Sequence, residues 1–177
     1  MKALSAAEKR AIAVLDESGV TELPVPVERI ARALGAQVTY EPFEGEISGM
    51  LYRSSGRTVI GVNSSHAPTR QRFTVAHEIG HLLMHKGERV IIDRFVRVNW
   101  RDGESNPEEV QANRFAASLL MPRSLLYEEI ERVLSRHRDL TPHDLVGLLA
   151  KRFEVSSAAM QYRLINLDIL DPYSLAG

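Results

Sequence analysis

"FTVAHEIGHLLMHKG", residues 73–87, places His77 and His81 four apart with Glu78 directly after the first, inside an otherwise largely apolar run. Phe73, Val75, Ala76, Ile79, Leu82 and Leu83 give the segment the character of a buried helix, bounded by Pro68 upstream and Gly87 downstream. Polar groups in such a helix are costly unless each has a partner. Positions i and i+4 of an α-helix lie about 6 Å apart along the axis and on nearly one face. Both imidazoles can therefore aim at one point.

Two readings compete for that point. In the bland one, His77 and His81 are core histidines bonded to backbone or carboxylate. In the other they share a metal ion: zinc takes neutral imidazole nitrogens at about 2.0–2.1 Å and prefers a tetrahedral set. Glu78, turned about 100° from the histidine row, can then act as general base on a water at the open position. His-Glu-x-x-His on a helix is the metalloprotease signature, and the apolar context of this helix favours the metal. Gly80 fits as well, since a missing side chain lets a second backbone approach. His85 continues the i+4 series, but the nearby Gly87 marks a fraying end, so His85 is expected to face solvent and to stay off the metal.

A catalytic zinc needs a third protein ligand. His66 falls in a loop, and His137 and His143 flank a helix junction. The stretch "PEEVQANRFAASLLM", residues 107–121, offers carboxylates instead. Glu109 and Asn113 are one turn apart, suiting a ligand and an amide that orients a ligand histidine. Against this, Glu109 lies three residues after Asn106 and could be the acid of a capping box. Glu108 could be a helix-start acid. The residues alone leave that choice open.

Outward from these two helices, 177 residues suffice for one domain with a real core, or one domain plus a small appendage. At 44% hydrophobic and 25% charged the chain is globular in composition. A net charge of −1 supplies no global attraction to nucleic acid or anionic membrane. There is no cysteine, so any metal must be held by nitrogen and oxygen. The N-terminal "MKALSAAEKRAIAVLDESG" has charges throughout, so no signal peptide is expected. No apolar run approaches the roughly 20 residues that span a bilayer. A cytoplasmic protein without membrane contact is expected.

Ser5 with Glu8 forms a capping-box pattern for a first helix closed by Gly19, and Pro26 opens a second that Gly35 stops. "AQVTYEPF" predicts a strand, "ISGMLYR" and "RTVIGVN" a hairpin around "SSG", and "RVIIDRFVRV" has strand character. Pro122 ends the carboxylate helix. Three more helices follow, in "RSLLYEEIERVL", "TPHDLVGLLAKRF" and "SSAAMQYRLINL". Helices, then a small sheet, then helices predict an α+β fold.

Together, "RQRFTVAHEIGHLLMH" and "EEVQANRFAASLLMP" resemble the ImmA/IrrE family of metallopeptidases. "VIGVNSSHAPTRQ" and "LPVPVERIARALGAQV" extend the likeness over roughly residues 20 to 125. The resemblance implies a zincin-like domain over residues 1–122, a small sheet packed on the metal helix, and a helical extension over 123–177. It implies His77, His81 and Glu109 as ligands, Glu78 as general base and Asn113 as a supporting partner. It also implies zinc, with manganese as an alternative for the same donors. Members of the family cut a helix-turn-helix repressor, so the implied function is site-specific cleavage of such a repressor, relieving repression in stress response or mobile-element control. A zincin site holds its substrate as a strand along the free edge of the small sheet beside the metal helix, and that sheet should here include "GMLYR" and "RTVIGVN". Ending at Gly177, the chain is expected to lack the GAF-type sensor that some members carry.

The tail, "LVGLLAKRFEVSSAAMQYRLINLDIL", resembles a helix-turn-helix. DNA contact through Ser157, Gln161 and Arg163 is one reading. The other is a helical pack with Leu145, Leu149, Val155, Met160, Leu164 and Leu167 as its core. Lys151, Arg152 and Arg163 are few for phosphate binding, so DNA binding is expected to be weak or absent. The alternatives to an enzyme are a DNA-binding regulator with a structural or vestigial metal site, and an antirepressor that binds without cutting. Tyr52, Tyr127 and His85 are the groups considered for stabilising an oxyanion.

Overall fold

In the computed structural model, residues 3–54, 56–87, 89–94, 106–137 and 139–172 are described. The chain opens with α1 (Ala6–Glu17), whose Ser5 and Glu8 close the capping box from both sides. Gly19 follows at φ +60°, in the left-handed region that lets the chain leave the helix. α2 (Val27–Ala33) starts after Pro26 and ends before Gly35 at φ +82°. Next come β1 (Ala36–Glu41), β2 (Ile47–Ser54) and β3 (Arg57–Asn63), then α3 (Pro68–Met84) and β4 (Arg89–Arg94). Four helices complete the described chain: α4 (Pro107–Leu120), α5 (Arg123–Arg136), α6 (Pro142–Phe153) and α7 (Ser157–Asn166). This is an α+β, zincin-like architecture. The part of "RVIIDRFVRV" beyond Arg94 lies outside the described residues.

The sheet has the order β1-β3-β2-β4. β1 runs parallel to β3, while β2 pairs antiparallel with β3 on one side and β4 on the other. Register puts Val38, Ile60, Leu51 and Ile91 in one row across all four strands. That row faces the buried Val75, Ala76 and Ile79 of α3. The two stretches expected in the sheet, "GMLYR" and "RTVIGVN", are its two central strands, and β1 and β4 carry the open edges. The hairpin turn could be read from sequence, but β4 comes from a stretch whose strand pattern is broken by charges.

α3 lies between the sheet and α4, and α1 covers α4 on its far side. Gly80 permits this. A Cβ added there would come within 3.1 Å of the Ala112 Cα and 3.2 Å of the Phe115 ring. Phe115 is fully buried and cannot give way. Gly80→Ala should therefore cost stability despite a helix-propensity gain of up to about 1 kcal/mol. Overpacking of about 1–3 kcal/mol outweighs that gain, so the apo protein should melt a few degrees lower. An unchanged or higher midpoint in calorimetry would show that α4 retreats freely.

α5, α6 and α7 join the same apolar cluster as the rest. The residues expected as the core of the tail, from Leu145 to Leu167, are all buried. Arg163, considered for DNA contact, is buried, with Nε donating to the Met121 carbonyl at 3.3 Å and Nη1 3.6 Å from Glu8. Arg152 is tied to Glu129 and to the Leu23 carbonyl. Lys151, the third of these cations, is exposed. Arg163 sits on the inward face of α7, with Met160 and Leu164, rather than on a face free to meet DNA. Among the described residues no helix is long and apolar enough to cross a membrane.

Candidate metal centre

α3 and α4 meet where the small residues Gly80 and Ala112 let their backbones touch. The polar groups flank that contact: His77 one turn before Gly80 and His81 directly after it, Glu109 one turn before Ala112 and Asn113 directly after it. His77 and His81 rise from α3 with their Nε2 atoms 3.0 Å apart. Glu109, in the first turn of α4, brings one carboxylate oxygen to 3.1 Å from His81 Nε2 and the other to 3.3 Å from His77 Nε2. Among the described residues this is the one cluster of three groups with metal-ligand chemistry, all donors lying within 4.8 Å of one another.

The donor triangle can be tested against the ion. Ligands at about 2.0–2.1 Å in a tetrahedron sit about 3.3 Å from each other. The two imidazole nitrogens, 3.0 Å apart, and the carboxylate, one oxygen 3.1 Å from His81 Nε2 and the other 3.3 Å from His77 Nε2, come close to that spacing. Hydrogen bonding agrees. His77 Nδ1 lies 3.0 Å from Asn113 Oδ1, which accepts its proton and leaves Nε2 as a lone pair. His81 Nδ1 lies 2.9 Å from His85 Nδ1, and with His81 donating there, its Nε2 is a lone pair too. Two nitrogens and a carboxylate then converge with no proton between them, which a cation relieves. The residues fit a divalent metal, and a metal cofactor follows from this set.

Burial of Glu109 by itself would push its carboxyl up, but when the two imidazoles carry protons in place of a cation, their hydrogen bonds and charge overcome that and hold it well below the usual carboxylate range. It enters the site ionised, as a ligand must. His77 and His81 are almost fully buried, whereas the Glu109 side chain is 28% exposed, so the cluster opens to solvent on the α4 side. The capping alternative is not realised: the Asn106 side chain accepts from the Glu108 backbone, and the Glu109 carboxylate turns to the histidines.

Glu78 is fully buried on the sheet side of α3. Its Oε1 would lie 3.1 Å from a Cβ added at Gly49 of β2, and Thr74 Cγ2 would be closer still. Gly49 is thus what allows β2 to pass over Glu78, a role its place in "ISGMLYR" did not signal.

His85 overturns an expectation. It is 6% exposed rather than facing solvent, and its ring packs on that of His81 with centroids 4.9 Å apart. The helix stops at Met84, three residues before the expected end, and His85 takes extended backbone at φ −116°, ψ 115°. That departure swings the imidazole back over His81. The i+4 spacing was the available signal, discounted because helix fraying was equated with exposure. Tyr52 points away from α3, since its neighbours Leu51 and Arg53 both face that helix. Tyr127 is exposed on α5 beside Arg123.

Residues 31–165 match the family model for the IrrE N-terminal-like domain, a peptidase family. Curated relatives include the radiation response metalloprotease IrrE of Deinococcus radiodurans, 36% identical over 108 residues, covering 60% of this chain and 30% of that protein. The protein of the same name from Deinococcus deserti is 35% identical over 106 residues, covering 60% of this chain and 35% of that one. This chain therefore spans about a third of the length of the curated relatives it matches. Among solved structures, a Mycobacterium tuberculosis transcriptional regulator superposes with a TM-score of 0.57 at 19% identity, over 97% of this chain and 49% of that one. That likeness is one of fold. With its family match running from α2 to α7 across the whole His-His-Glu cluster, the chain belongs to the IrrE N-terminal-like family of metal-dependent peptidases.

Proposed function

We propose that this chain is a zinc-dependent endopeptidase that makes one site-specific cut in a helix-turn-helix repressor. The observation that carries the reading is the triangle of His77, His81 and Glu109 donors with the buried Glu78 on the next helical position. Two nitrogens and one oxygen suit zinc, and manganese would accept the same set. Metal binding alone does not need Glu78; a hydrolase does.

In this reading His77, His81 and Glu109 hold the ion, and Asn113 fixes the His77 tautomer. A bound divalent cation would supply Lewis acidity, polarising the scissile carbonyl and making water easier to deprotonate. Glu78 takes a proton from the attacking water as its oxygen bonds to the carbonyl carbon. It then returns that proton to the leaving amine nitrogen as the C–N bond breaks. Substrate backbone adds to an open sheet edge, and β4 is the edge that adjoins β2, the strand lying over Glu78. Main-chain pairing accepts any extended segment, so selectivity comes from side-chain contacts and docking outside the cleft. A repressor would offer a loop or a locally unfolded stretch, since a helix cannot pair along a strand edge.

The test is incubation of the zinc-loaded protein with a repressor encoded beside it and, separately, with unfolded casein, followed by intact-mass spectrometry. One fragment pair from the repressor and little casein cleavage are expected. Digestion of casein at many sites would instead identify a degradative peptidase. The buried Arg163 and the engaged Arg152 weigh against a DNA-binding regulator as the alternative.

A further inference from the structure

A helix ends with up to four backbone carbonyls that lack an intrahelical partner. At the end of α3 a side chain from the sheet takes one of them, that of Leu82, together with two carbonyls just beyond the helix. Arg53, on β2, donates from Nη1 to the Leu82 carbonyl at 3.0 Å, from Nη2 to the His85 carbonyl at 2.6 Å, and from Nε to the Gly87 carbonyl at 2.6 Å. The three acceptors bracket His85: one in the last helical turn, one on His85 itself, one two residues beyond. A planar guanidinium presents its donors in a fixed fork, so this triple contact fixes the backbone on both sides of the point where His85 leaves the helix. Gly87, at φ +110°, supplies the turn that brings its carbonyl back to the fork. The positive charge also sits at the negative end of the helix dipole.

What the fork holds in place matters for the metal helix. His85 has extended backbone: its N–H still reaches the His81 carbonyl of the helix at 3.1 Å, while its carbonyl side is held by the Arg53 fork. Its Nδ1 reaches His81 Nδ1 at 2.9 Å, and His81 Nε2 in turn faces His77 and Glu109. We propose that Arg53 is a positioning residue for the metal centre, acting through the backbone of His85 to keep the His85 imidazole on His81. It touches neither metal nor substrate. This rests on the reading of His77, His81 and Glu109 as ligands, and the partners that orient ligand histidines are commonly worth 10–100-fold in metal affinity.

The experiment uses cobalt(II) as the probe in the full chain, because its visible absorption reports ligand geometry as well as occupancy. Affinity is measured by competition with a chromophoric chelator for the parent, Arg53→Gln, His85→Ala and the double variant. Arg53→Gln should weaken cobalt binding by about tenfold or more and shift the visible bands, and the loss should vanish in the His85→Ala background, where nothing is left to position. Arg53→Lys keeps the charge at the helix end but cannot span all three carbonyls. It should fold even if Arg53→Gln does not, and show a smaller loss of the same kind. A merely structural role would lower the melting temperature in both backgrounds while leaving cobalt affinity and spectrum unchanged. That result, or an equal loss with and without His85, or parental affinity and spectrum in Arg53→Lys where Arg53→Gln does not fold, overturns the proposal. If the parent itself bound no cobalt, the ligand assignment would fail first, a distinct outcome.

Discussion

Glu78→Gln is expected to leave fold and metal content intact while cutting the rate of repressor cleavage by about 10²–10⁴-fold, the usual worth of a general base. The amide is nearly the same shape as the carboxylate and fits the fully buried slot under Gly49. It has no basic oxygen of comparable strength, so it cannot take the proton from attacking water. Loss of activity could in principle come from a disturbed site, and the geometry shows how to separate the two. Glu78 is not among the three converging donors, so metal stoichiometry and chelator-competition affinity should match the parent. Cleavage of the repressor is followed by mass spectrometry over hours. A variant that cuts as fast as the parent would remove Glu78 from the chemistry. A variant that loses both metal and activity would recast it as a support for the ligands.

The metal helix and its partner were legible because their chemistry depends on short spacings. His77 and His81 four apart, Glu109 and Asn113 four apart, and a glycine at position 80 are each local patterns. The helix geometry converts them directly into a shared face and a close contact. Caps were legible for the same reason: Ser5 with Glu8 closes as a box. What local pattern cannot supply is pairing between distant segments. That β2 lies in the middle of the sheet, with β4 outside it, depends on Met50 meeting Ile92 across more than forty residues of chain. Periodicity does not encode such a match. Arg53 and Gly49 escaped notice for the same reason, since each acts on α3 from a neighbouring strand. His85 was misjudged differently. Its sequence position was right for the site, but exposure was inferred from a helix end that Arg53 seals.

The largest effect on the metal should come from His81→Ala, which is expected to take stoichiometry from about one ion per chain to nearly none. His81 is the centre of the histidine row. Its Nε2 faces His77 and Glu109, its Nδ1 meets His85, and it is 1% exposed, so no other described side chain stands ready to replace it. Two remaining donors make a poor site for a small divalent cation that must shed its water. Stability gives an independent reading of the same loss. A ligand that binds only the folded state adds about 4 kcal/mol at 1,000 times its dissociation constant. The parent should therefore melt several degrees lower after a strong chelator, whereas His81→Ala should melt at one temperature with or without it. His85→Ala, which leaves all three donors in place, should keep the chelator effect at reduced metal affinity. Full occupancy in His81→Ala by elemental analysis, with the chelator effect intact, would mean that the ion is held by other groups and that the row of histidines is core packing after all.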